Sequence, residues 1–342
     1  MSFFQKLTHQ KSANSGDAPR RAFSVSITHA ADVDEFAEAL RGYHLGLMQI
    51  EKGPFSAQLV QTRLAGVLIS AAQYGRAVVH SGQPPSGRLT FAVATSRTPV
   101  FWQGRPFGPD DLLLMTPGTE IDVVSAAGFG VVTASFASEV VKEAMDCFGS
   151  GPIGHPSTSL TVGLEHNKAH LLRVTFGALL NEAVARPLDV PTATWALSKQ
   201  DDLLRALLHC ISGSQPSTRS ASSGERARVL KAAVAAINDR PEDVVTVGDL
   251  CRSANASERT LHHAFIEHFG LPPSQYMKAR RLNAVRNELG QEDEPLKKIS
   301  DVANKWGFWH LGQFAKDYRS WFGELPSETY ERKHRTNPRR VE

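Results

Sequence analysis

The C-terminal third of this chain carries one pattern twice, which leaves that region little choice of fold. Leu261, Phe265, Phe269 and Gly270 return 53 residues later as Phe314, Tyr318, Phe322 and Gly323. Apolar residues four apart that end on glycine read as a buried helical stripe with a C-terminal stop. Ahead of each stripe lie a shorter apolar helix and a turn residue, Asn255 in the first copy and Gly307 in the second. Thr246–Gly270 and Ile299–Gly323 therefore predict two helix-turn-helix units. The second is one residue longer from turn to stop, so the offset is 52 before the turn and 53 after it. Paired units of this kind suit two successive turns of one DNA groove.

Ser257 is placed to cap the second helix of unit one, and Asn255 to take the left-handed turn. That helix buries Leu261, Ala264, Phe265 and Phe269 and turns Glu258, Arg259, His262, His263 and Ile266 outward. A long helix from Pro273 to Leu289 follows, with Tyr276, Leu282, Val285 and Leu289 to anchor it between the units. Its cations Lys278, Arg280, Arg281 and Arg286 read as a solvated face, some of them within reach of phosphates. Unit two buries Ile299, Val302, Ala303, Phe314, Tyr318 and Phe322. Gln313, Lys316 and His310 face outward, with Arg319 nearer the backbone. A further helix, Glu225–Asn238, precedes both units.

Ser257, Leu261, Phe265, Phe269-Gly270, Pro273 and Tyr276, with Ala303, Gly307-Phe308-Trp309-His310, Phe314, Tyr318-Arg319, Phe322-Gly323 and Pro326-Ser327, carry a specific resemblance. The segment 225–332 resembles the DNA-binding domain of the AraC/XylS family of bacterial transcriptional regulators. The resemblance implies base contacts from Arg259, His262 and His263 in unit one and from Gln313 and Lys316 in unit two. It implies backbone contacts from Ser257, Thr260, His310 and Arg319. Arg and Lys donate to guanine, Gln pairs with adenine, and His can donate or accept. The adjacent histidines would make unit one sensitive to pH near neutrality. Gly312, Ala315 and Leu311 leave unit two few long donors, so unit one is expected to set most of the sequence preference. The partners implied are double-stranded DNA across two successive major grooves, RNA polymerase, a second copy of the chain and a small-molecule effector.

The N-terminal half has a different texture. Asp32 opens a short helix with Glu35 three residues on. Leu64–Ala71, Ala77–His80, Leu89–Ala94, Val100–Trp102, Leu112–Met115, Ile121–Val124 and Val131–Phe136 read as strands of a sandwich or small barrel. This region resembles the cupin-like sensor domain of the same family and is similar in texture and length to regulators of amine and ethanolamine utilisation. The fold class expected is α+β: a β-rich cupin-like barrel with helices, then an all-α domain of two helix-turn-helix units. The divisions are a disordered lead-in over 1–21, a sensor domain over 22–159, a helical segment over 160–212, a flexible linker over 213–224, the DNA-binding domain over 225–332 and a basic tail over 333–342. Helices Glu165–Ala185 and Leu197–Ser212 each carry a leucine-rich stripe, for packing on the β-domain or for a dimer interface. Phe91, Phe101 and Trp102 are candidate walls of a ligand pocket, although alternation makes ordinary core packing the default.

Other classes fit poorly. The 342 residues carry a net charge of +3, all of it from Glu225 onward, where 20 Lys/Arg meet 17 Asp/Glu. The three cysteines are scattered, with no disulfide framework or metal spacing. No apolar run approaches the ~18 residues of a membrane span, and a cytoplasmic protein is expected. Metal-dependent cupins use a His-x-His pair, and the strands here hold only His80. His166 and His170 are four apart, but the neighbouring Glu165 is on the wrong side for a zinc-protease motif. No catalytic constellation and no cofactor are expected. A regulator controlled by a protein partner or by its own abundance is the alternative, and a cupin-type enzyme with a DNA-binding appendage a more distant one.

Overall fold

Side-chain parity along the strands sets the architecture of the N-terminal half. In the computed structural model, one sheet runs β1 (Phe23–Ala30), β3 (Ala57–Leu64), β4 (Val67–Tyr74), β11 (Gly130–Ala137), β6 (Arg88–Ala94), β9 (Asp111–Met115) and β12 (Leu160–Gly163). A second runs β2 (His44–Gln49), β5 (Val78–Gln83), β10 (Ile121–Ser125), β7 (Val100–Trp102) and β8 (Arg105–Pro106). The structure describes residues 23–98, 100–148, 158–185, 193–212, 214, 224–239, 245–291 and 298–335. The expected lead-in 1–21 and nearly all of the linker 213–224 lie outside them. Two compact units emerge: one of residues up to Leu47, Ser56–Gly75 and His80–Arg219, the other of Met48–Phe55, Arg76–Val79 and the chain from Ser220 on.

In the larger sheet, Leu89, Phe91 and Val93 of β6 and Val132, Ala134 and Phe136 of β11 face one way. They share a core with Leu172, Phe176, Leu179 and Leu180 of α3 (His166–Ala185) and with Leu203, Leu204, Leu207 and Ile211 of α4 (Ala193–Ile211). Both leucine stripes are therefore spent on the sheet, which settles the choice left open by their periodicity. Residues of the other parity, Ala92 on β6 and Val131 and Thr133 on β11, line a cavity. Burial on both faces explains why these strands read as near-continuous apolar runs.

Two strand expectations need correction. Leu64–Ala71 is not one strand: Ala65, at φ 51°, turns the chain between β3 and β4. Alanine is a poor turn signal, since only glycine and asparagine adopt that conformation readily. Strands β1, β2 and β12 are added at the sheet edges; Phe23, Val25 and Ile27 alternate along β1, but β2 and β12 are short and carry few apolar residues.

The second unit is helical apart from its two short N-terminal stretches. It contains α5 (Gly224–Asn238), α6 (Val247–Ala254), α7 (Glu258–Phe269), α8 (Pro273–Leu289), α9 (Ile299–Lys305), α10 (Leu311–Phe322) and α11 (Pro326–Arg335). Helix α8 is the strut between the two repeats. Near its start, Tyr276 stacks on Phe269 at 4.2 Å and meets Phe265 edge-on at 5.4 Å. Further along, Ala279, Leu282, Val285 and Leu289 pack with Val302, Phe314, Tyr318, Trp321 and Phe322. Helix α11 continues to Arg335, so the expected tail begins inside a helix, where His334 stacks on Tyr330 at 4.1 Å.

Candidate nucleic-acid interface and apolar cavity

The first reader starts from a capping box. Thr246 Oγ1 accepts the Asp249 N–H, and the Asp249 carboxylate accepts the Thr246 N–H. The Thr246 hydroxyl and amide bonds, with Arg252 nearby, hold the Asp249 carboxyl below the usual range. Helix α6 ends at Asn255 in the left-handed conformation, φ 46°. Ser257 Oγ then accepts the Thr260 N–H to cap α7, and Gly270 at φ 68° closes it. With Leu261, Ala264, Phe265 and Phe269 held inside, Arg259, His262, His263 and Ile266 stand exposed at the i, i+3, i+4, i+7 spacing of one helical face. The His262 and His263 rings are perpendicular, 6.2 Å apart. Ser257 and Thr260 also share a hydroxyl contact of 2.9 Å. They hold the helix N-terminus, whose amides favour a phosphate.

The second reader is built more loosely. Gly307 takes the turn at φ 77°, and α10 begins after His310 with no side-chain cap. Gln313, Lys316, Arg319 and His310 are all exposed. Gln313 Nε2 already donates to Asp317 Oδ1 at 3.2 Å, and the other Asp317 oxygen pairs with Lys278 of α8 at 2.7 Å. A carboxylate therefore stands beside the candidate readers, one turn along the helix from Gln313. Trp309, just before α10, is 67% exposed. An aromatic side chain there suits apolar contact with a thymine methyl.

The α8 cations are not a free basic face. Lys278 is tied to Asp317, and the Arg281 guanidinium lies 5.1 Å over the Phe308 ring. Arg286 is only 3% exposed. Its Nη1 is 2.8 Å from Glu324 Oε1, an ion pair by distance rather than a well-aligned hydrogen bond. Its guanidinium also stacks 4.6 Å over Phe322. For Arg286 the reading as a surface cation within phosphate reach is wrong.

The N-terminal unit holds a cavity of about 90 Å³ between its two sheets. Trp102 lines it, as expected. Phe91 does not: its parity sends it into the helix-covered core. Phe101 is half-buried and also outside the lining, since it alternates with Val100 and Trp102, which do contribute. Tyr43, Tyr74 and His80 line the cavity too. Tyr43 Oη donates to Thr133 Oγ1 at 2.7 Å, and His80 Nε2 meets Ser125 Oγ at 2.9 Å. Burial lowers the pKa of His80 to about 3, and burial also raises both tyrosine hydroxyls. Among the described residues no cluster of metal-ligating side chains occurs; His166 is taken by Asp110 at 3.0 Å.

A helix-turn-helix family model matches residues 250–332, which include both readers, α8 and most of α11. A XylDLEGF operon transcriptional activator of Pseudomonas putida is 39% identical over 85 residues, covering 25% of this chain and 26% of that protein. Another activator of that name, numbered 2 and from the same organism, is 39% identical over 93 residues, covering 27% of this chain and 59% of that protein. The resemblance is therefore carried by residues 250–332, which are similar to the matching part of these operon activators. The chain spans between about a quarter and three-fifths of the length of these curated relatives. Among solved structures, the AraC-like transcriptional activator CuxR matches at TM-score 0.37 and 15% identity, over 67% of this chain and 80% of that one. That likeness is too low to support anything further.

One feature of the C-terminal unit has no local sequence signal. The stretch Met48–Phe55 belongs to the C-terminal unit, and buried Gln49 is its hub. The Gln49 N–H donates to Asn283 Oδ1, and its carbonyl accepts from Asn283 Nδ2 and Trp321 Nε1. Its Nε2 donates to the carbonyls of Glu51, Gly53 and Trp321. These bonds hold α8 and α10 at Asn283 and Trp321.

Proposed function

We propose that this chain is a sequence-specific DNA-binding transcriptional regulator, an activator that responds to a small molecule held between its two sheets. The observation that carries the DNA reading is the exposed face Arg259, His262, His263 on a helix fixed by caps at both ends. Base edges are read in the major groove by such a face, while capped helix N-termini and exposed cations set its position on phosphates. Gln313 and Lys316 read the second groove segment, with Trp309 beside them. His310 and Arg319 supply backbone contacts, as Ser257 and Thr260 do in the first unit. The relatives' printed role as operon activators supports activation here, which requires contact with RNA polymerase. A homodimer is part of the reading: Leu171 and Val174 leave apolar surface exposed on α3, away from its buried stripe.

Arg259→Ala is expected to weaken specific binding by roughly 1–3 kcal/mol and to relax preference at one or two base pairs. Footprinting and competition with unrelated DNA measure this. An unchanged footprint with unchanged selectivity would place the reading face elsewhere.

A further inference from the structure

The cavity is larger in chemistry than in size. None of its 18 lining residues is Asp, Glu, Lys or Arg, so no counter-charge awaits an ionised ligand. Yet the walls are not wholly apolar. Tyr74 is 3% exposed, and its hydroxyl has no hydrogen-bond partner among the described residues. His80 is 5% exposed and spends Nε2 on Ser125, leaving Nδ1 without a partner among those residues. The two rings meet edge-on with centroids 4.8 Å apart, and both residues line the cavity. Phe36 and Phe129 pack on Tyr74 and fix its ring. A ligand that bonds to such a group binds more tightly than one of the same shape that cannot.

We infer that the effector is a neutral, largely apolar molecule of about one ring, whose single hydroxyl or carbonyl group bonds to Tyr74 and His80. This rests on the reading of the cavity as the effector site and names the ligand class for it. About 90 Å³ is less than the ~150 Å³ cavity that holds benzene, so a single ring is the upper limit and enters only as the surrounding side chains give way. With burial holding the imidazole neutral down to about pH 3, His80 offers one donor or acceptor and no charge. A carboxylate or an ammonium would be stripped of water with nothing to replace it. The amine class suggested by the texture of the N-terminal half is therefore disfavoured by these walls.

Benzyl alcohol, benzoate and benzylamine share one ring and one carbon and differ in charge at pH 7.5. Titration calorimetry with the full-length chain compares them, with toluene as the apolar reference. Benzyl alcohol is expected to bind, and the two ions at least roughly 100-fold more weakly. Tyr74→Phe should weaken benzyl alcohol roughly 10-fold while leaving toluene unchanged. Ala92→Phe, which fills the cavity from β6, should abolish binding; thermal melting confirms that both variants fold. Benzoate or benzylamine binding as tightly as the alcohol, and lost in Ala92→Phe, overturns the neutral class while leaving the cavity as the site. Benzyl alcohol binding equally to Ala92→Phe overturns the site itself. Failure of all four probes overturns the single-ring neutral class.

Discussion

Glu324→Gln is expected to destabilise the C-terminal unit by about 3–5 kcal/mol, because it removes the carboxylate that faces the buried Arg286 guanidinium. One oxygen of Glu324 is the meeting point of the second repeat. Oε1 lies 2.8 Å from Arg286, 2.9 Å from Arg332, and accepts the Thr329 hydroxyl at 2.6 Å. Thr329 in turn accepts from the buried Tyr318 hydroxyl at 2.9 Å. The partners are not equivalent. Arg332 is on the surface, so Arg332→Ala should cost under about 1 kcal/mol. Arg286 sits on the inner side of α8 against Phe322 and cannot turn to water. The pH dependence follows. Burial pushes the Glu324 carboxyl up, but the Thr329 hydroxyl and the two guanidiniums outweigh it, so its folded pKa lies below the ordinary value. A carboxyl depressed on folding contributes fully above its unfolded pKa of ~4.3 and loses that contribution as pH falls through the folded value. Urea unfolding followed by circular dichroism between pH 7 and pH 3 should show a shallower acid decline for Glu324→Gln than for the natural chain. Equal slopes, or a loss at pH 7 under about 1 kcal/mol, would remove this cluster from the account.

The second large effect concerns the first repeat. Leu261 is fully buried, on the stripe with Ala264, Phe265 and Phe269 that seats α7. Leu261→Asp places a carboxylate there with no cation to meet it, a cost of several kcal/mol. The first reader should lose its seating, and specific DNA binding should disappear rather than weaken. Leu261→Met, close in volume, should cost less than about 1.5 kcal/mol and keep the footprint. Proteolysis separates the two: Leu261→Asp should expose α6–α7 to cleavage while α9–α10 stay protected by their own core around Phe314 and Tyr318. A Leu261→Asp protein that still protects its operator would show that α7 does not read DNA.

What could be read in advance tracks how local the physics is. The caps at Ser257 and Gly270, the left-handed Asn255 and the α8 anchors each depend on a few neighbouring residues, and each was expected. Trp102 as a cavity wall was expected too, but Phe91 and Phe101 were not separable from it. Periodicity gives parity within a strand and not which face meets the helices. Arg286 looked like its neighbours Arg280 and Arg281, since nothing local says that Glu324, 38 residues on, will be its partner. Gln49 is harder still. Its partners Asn283 and Trp321 are more than 230 residues away, and no pattern around Gln49 marks it.

Helices α7 and α10 are each expected to read bases, with the first unit setting most of the preference. Selection from a random duplex library with the purified full-length chain tests it directly. The expected result is an enriched motif of two blocks about one helical turn, ~10 base pairs, apart. The block lost in Arg259→Ala should be the sharper one, and the block blurred in Lys316→Ala the weaker. Enrichment of no motif, or a motif unchanged by both substitutions, would contradict it.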